Sequence, residues 1–108
     1  MRDNEDRLWS ERYREAAETW VQLDAAANLL EECKSSVLAQ RMSALGDIPV
    51  SHAERTVKAS DEWHDYVTKM VKAREAANLA KVKTDFIKMR AMEEQSANAN
   101  KRAEMRLG

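Results

Sequence analysis

One interruption limits what this chain can fold into. Leu45-Gly46-Asp47-Ile48-Pro49-Val50 holds the single proline and, apart from the terminal Gly108, the only glycine. Gly46 is suited to ending a helix in a left-handed conformation. Pro49 pushes Ile48 out of the helical region. Directly after it, Ser51-His52-Ala53-Glu54 fits a capping box, with Ser51 as N-cap and Glu54 reaching back. Stop and start signals separated by so few residues favour two helices running antiparallel.

The flanking tracts carry helical periodicity. Trp9, Tyr13, Ala16, Trp20, Leu23, Ala27 and Leu30 alternate spacings of four and three, a heptad seam that no strand produces. Asp3, Glu5 and Asp6 place negative charge where a helix start favours it. After the break, Ala59, Trp63, Tyr66, Met70, Ala73, Ala77, Ala80, Thr84, Ile87 and Ala91 repeat the spacing. The sequence predicts one all-α domain over 1–108: a helix over about 4–44, a turn at 45–50 and a helix over about 51–106. At ~1.5 Å per residue the first helix is roughly 60 Å long and the second roughly 80 Å. The second therefore overhangs over about 93–108, where apolar residues are few. With the turn centred at 48–49, residue i faces roughly residue 97 − i. Trp20 then meets Ala77, and Trp9 approaches Ile87, large against small.

Beside the second seam lies another row, Leu79, Val82, Phe86 and Met89. One partner helix covers only a narrow seam, and a two-helix chain of 108 residues has little interior of its own. The expected fold is thus a coiled-coil-like antiparallel hairpin that self-associates. A dimer forming a four-helix bundle is the simplest case, a higher oligomer the other. The row Leu79, Val82, Phe86, Met89 is its candidate interface.

Charge bears on the partners. The net charge is −1, so no global field drives the chain onto nucleic acid or membrane. Residues 1–51 carry six Lys/Arg against ten Asp/Glu, whereas 52–108 carry twelve against nine. The 97 − i register sets Glu11, Glu15 and Glu18 beside Lys81, Lys83 and Lys88, so the two halves neutralise each other. Arg74, Lys81 and Lys88, seven apart, form a basic edge to which Lys72, Lys83 and Arg90 add; together they are the candidate contact for nucleic acid or an acidic partner. Phe86 and Tyr66 read as core, which leaves no exposed aromatics for stacking bases.

Catalytic chemistry finds no footing. There is no glycine-rich phosphate loop and no Ser/His/Asp set. Asp61 and His64 have the spacing of helix-borne metal ligands, but a second such pair is missing. Cys33, beside Glu31 and Glu32, lacks the positive field that activates a thiol. No enzyme activity, cofactor, metal or small-molecule substrate is expected. The lone cysteine points to a reducing cytoplasm. The polar N-terminus lacks the apolar core of a signal peptide, and no apolar run is long enough to span a bilayer.

Ala80-Lys81-Val82-Lys83, Phe86, Met89-Arg90 and the closing Lys101-Arg102-Ala103-Glu104-Met105-Arg106-Leu107 resemble small all-helical accessory proteins encoded by phages and prophages. Some of those lie among DNA replication and recombination genes. The resemblance implies a non-enzymatic factor in the host cytoplasm whose partner is DNA or a DNA-processing protein. A protein-only adaptor or inhibitor acting through helix–helix contacts is the alternative.

Overall fold

The computed structural model describes the backbone of residues 2–107 and the side chains of residues 9–107. The chain is all-α, with α1 (Arg2–Ser43), α2 (Val50–Lys58) and α3 (Asp61–Leu107). No strand occurs among the described residues. Asp3, Glu5 and Asp6, read as favourable charges at the first helix start, lie outside the described side chains.

Local chemistry explains the stop after α1. The amides of Ala44, Leu45 and Gly46 bond back to the carbonyls of Gln40, Met42 and Ser43, tightening the last turn. Gly46 then takes φ +90, a conformation that only glycine adopts without strain. Restart differs from the capping box read at Ser51. Pro49 is the N-cap of α2, with φ −55, and its carbonyl accepts from the Ala53 amide at 2.9 Å. The proline ring presets that angle. Glu54 is thereby free to pair with Lys58 at 2.7 Å, one turn along.

The second tract is two helices, not the one expected over 51–106. Ser60 causes the break. Its hydroxyl donates to the Val57 carbonyl at 2.6 Å and accepts from the Trp63 amide at 3.2 Å. It ends α2 and caps α3 at once. Asp61 and Glu62 complete the start with negative charge in the first turn. Ala59, counted in the seam, is exposed at this break. From Asp61 the helix continues to Leu107, so 93–107 is helical and solvated along its length.

The chain forms two compact units, one of Met1–Val21 with Asn78–Gly108 and one of Gln22–Ala77. The second unit holds Ala27, Ala53, Val57, Trp63 and Ala77 as its buried apolar residues. Trp63 stacks on Tyr66 with ring centroids 5.6 Å apart. The Tyr66 hydroxyl donates to the Leu30 carbonyl at 2.6 Å, tying α3 to α1. Arg41 on α1 meets Glu62 on α3 at 3.7 Å.

In the first unit Ile87 and Thr84 are buried. Thr84 satisfies its hydroxyl on the Ala80 carbonyl one turn back, at 2.8 Å, which allows a polar residue within the seam. Trp9 and Ile87 line one groove, as the register expects. Trp9, Ala16 and Trp20 on the unit's α1 segment are half-buried.

Candidate functional site

Heptad positions on α3 sort its surface into three sets. With Ala77, Ala80, Thr84, Ile87 and Ala91 as the a and d positions, Arg74, Lys81 and Lys88 fall at e. Lys83 and Arg90 fall at g. Leu79, Val82, Phe86 and Met89 fall at c and f, the outer side of the helix. At ~100° per residue this outer row lies roughly half a turn away from the seam. Burial agrees: Leu79, Val82, Phe86 and Met89 are 64%, 66%, 55% and 53% exposed. Phe86, also read as core, is therefore a surface aromatic. Leu79, Val82, Phe86 and Met89 thus form one exposed apolar row rather than apolar residues scattered singly.

The basic residues differ in their surroundings. Arg74 is engaged within the chain. Its Nε and Nη2 donate to the two Glu31 carboxylate oxygens at 2.8 Å each, Nη1 donates to Asp24 at 2.7 Å, and Nη2 also donates to Asn28 at 2.6 Å. Asp24, Asn28 and Glu31 rise along one side of α1 at spacings of four and three, which suits a guanidinium fork. Arg74, read as part of the contact for nucleic acid or an acidic partner, thus has its guanidinium engaged on α1. The signal lay in the same register argument, because residue 74 falls opposite residue 23, beside Asp24.

The remaining cations behave differently from the expected pairing with acids. Glu11 pairs with Arg14 on its own helix at 3.1 Å. Among the described residues no ion pair joins Glu11, Glu15 or Glu18 to Lys81, Lys83 or Lys88. Lys81 instead lies over the Trp20 ring, 5.9 Å from its centroid. Arg90 lies over Trp9 at 5.8 Å, with Arg12 over the same ring at 5.2 Å. Such contacts hold cations on aromatic faces at the edges of the seam. Arg90 also reaches Glu93 at 3.2 Å. Lys72, Lys83 and Lys88 are exposed and carry no ion pair among the described residues.

Two grooves border Trp9 in the first unit. One, of about 520 Å³, is lined by Arg12, Glu15, Ala16, Thr19, Ala80, Lys83, Phe86 and Ile87 besides Trp9. The other, of about 510 Å³, is lined by Tyr13, Lys88, Ala91, Met92 and Asn98 among others. Among the described residues, no group of three or more His, Cys, Asp or Glu side chains could hold a metal ion, and Asp61 and His64 gather no further ligand. Cys33 is a half-buried free thiol. No described helix is long and apolar enough to cross a membrane.

The Arg74 cluster makes a pH-dependent contribution to the fold. Hydrogen bonds from Arg74 hold the Glu31 carboxyl below its ordinary range, against a smaller opposing effect of desolvation. Its folded-state value is depressed, so the stabilisation is present above the unfolded value of about 4.5. It is lost as pH falls through the folded value. Arg74→Met is expected to lower the thermal midpoint by a few degrees at pH 7 and by less at pH 3. Melting curves at the two pH values check this, and an equal loss at both would remove the Glu31 contribution.

No protein-family model, curated protein or solved structure matches the chain.

Proposed function

We propose that this chain is a non-enzymatic helical hairpin that works by helix–helix association, with the outer face of α3 receiving a further helix. The exposed row Leu79, Val82, Phe86 and Met89 carries the reading. Support for the hairpin comes from contacts within each unit. Tyr66 with Leu30 and Arg74 with Asp24 link α3 to α1 in one, and Lys81 with Trp20 and Arg90 with Trp9 do so in the other. Two copies joined through α3 give four helices, the simplest assembly. In this reading the protein is a cytoplasmic adaptor or inhibitor, and its partners are helices rather than substrates.

A second reading keeps the likeness to phage accessory proteins and a role in DNA metabolism. It is favoured by Lys72, Lys83 and Lys88, exposed and without ion pairs among the described residues. With Arg74 withdrawn, the basic surface is smaller than the sequence implied, and protein association is the better-supported role.

Light scattering tests the first reading. The mass is expected to rise with concentration from 12.4 kDa toward twice that value. A constant monomer mass up to millimolar concentration would contradict it. Anisotropy of labelled single- and double-stranded oligonucleotides at two salt concentrations decides the second: phosphate contacts by lysines give binding that weakens steeply with salt, and no binding at low salt removes it.

A further inference from the structure

We infer that the occupant of the outer α3 face is α3 of a second copy, running parallel and in register. The inference rests on the association reading above and names its partner and direction. It follows from the charges that flank the row. Taken as a seam of its own, the row has Leu79 and Phe86 at one core position and Val82 and Met89 at the other. Lys83 and Arg90 then flank it on one side, and Asn78 and Asp85 flank it on the other.

Direction decides which flanks meet. In an antiparallel pair each flank faces its own equivalent. Lys83 and Arg90 of both copies would then share one edge, four cations together, and the two Asp85 carboxylates would share the other. In a parallel pair, each flanking position faces the opposite flank five residues further along the partner. Asp85 of each copy then meets Arg90 of the other, and Asn78 meets Lys83 without repulsion. The groups needed are accessible. Asp85 is exposed and has no ion pair among the described residues; Arg90, which reaches Glu93 through Nη1 and lies over Trp9, still has its side chain 48% exposed. Glu75 and Glu93 bound the row at either end. They meet like charge in both directions, so they limit its length without choosing between them.

The row spans ~16 Å of helix, shorter than a standard protein interface requires, so the pairing is weak and concentration-dependent. The α3 helices lie at the centre of the pair, and the α1 segment of each first unit lies outside, on the face already covered within the chain.

Disulfide trapping reads the register directly. In a Cys33→Ser background, Val82→Cys is expected to oxidise to a covalent dimer under mild air oxidation, because Val82 meets its own copy in a parallel pair. Mixed Leu79→Cys and Met89→Cys chains are expected to yield only like-with-like dimers. A dominant Leu79–Met89 cross-link would overturn the parallel register while leaving association through this face intact. Monomeric wild-type protein with no cross-link at any of these positions would overturn association itself. Asp85→Arg is expected to weaken the wild-type dimer about fivefold, since two symmetric exposed pairs are lost. No change in dimer affinity would contradict the Asp85–Arg90 contact.

Discussion

Replacing Trp63 with alanine is expected to cost about 3–5 kcal/mol, enough to unfold much of the chain at 37 °C. Trp63 is the largest side chain among the buried residues, 6% exposed. Its ring is stacked at 14° on Tyr66, and such a pair adds about 0.5–1.5 kcal/mol beyond the area it covers. Loss of the indole leaves a cavity at the start of α3, and Tyr66, which carries the hydrogen bond to Leu30, loses the surface that positions it. Trp63→Phe keeps most of the area and should cost less than half as much. Urea unfolding followed by far-UV circular dichroism compares the two. A loss below about 1 kcal/mol for the alanine variant would mean that this ring is not a core residue.

Phe86→Asp is expected to have the largest effect on association and almost none on the fold. The side chain is 55% exposed on the outer side of α3, so the folded monomer loses little by its removal and the helix content should stay unchanged. In the pair, each copy would place a carboxylate in the centre of the apolar row. An unpaired charge there costs several kcal/mol, and twofold symmetry doubles the damage. Dimer affinity is expected to fall by about a hundredfold or more, read by sedimentation equilibrium. Ile87 makes the contrast, one residue along and 8% exposed. Ile87→Asp should unfold the first unit itself. Equal losses of helix for the two substitutions would show that Phe86 belongs to the chain's own core.

Much of the helical fold was legible because heptad spacing and burial report the same physics. Ala27 and Ala77, at seam positions, are fully buried, and Gly46 takes the conformation its place in the break required. Ser60 was missed for a definite reason. Ala59, Trp63 and Tyr66 keep the four-three spacing across the break, so the seam ran on over a serine whose bonds to Val57 and Trp63 stop one helix and start the next. The signal was present in Ser60-Asp61-Glu62, a cap followed by acidic residues. Ser51 misled in the opposite sense, since the carbonyl of Pro49, two residues earlier, had already opened α2.

The site was partly legible. Periodicity picked out Leu79, Val82, Phe86 and Met89 as a row, but their distance around the helix from the seam, and hence their exposure, depends on the heptad positions taken together. Arg74 shows where spacing alone fails. Its separation of seven from Lys81 suggested a shared edge, and the 97 − i register, which sets residue 74 opposite residue 23, was not followed to the acceptors Asp24, Asn28 and Glu31 beside it.

The central claim is that the outer face of α3 is covered by association. Brief oxidative footprinting of the methionines, over a range of protein concentrations, tests it most directly. Met89, on the row, and Met105, well beyond it, are 53% and 74% exposed in the single chain, so both start out reactive. With rising concentration Met89 should become protected while Met105 stays reactive, and Phe86→Asp should abolish that protection. Unchanged reactivity of Met89 relative to Met105 at every concentration would contradict the account.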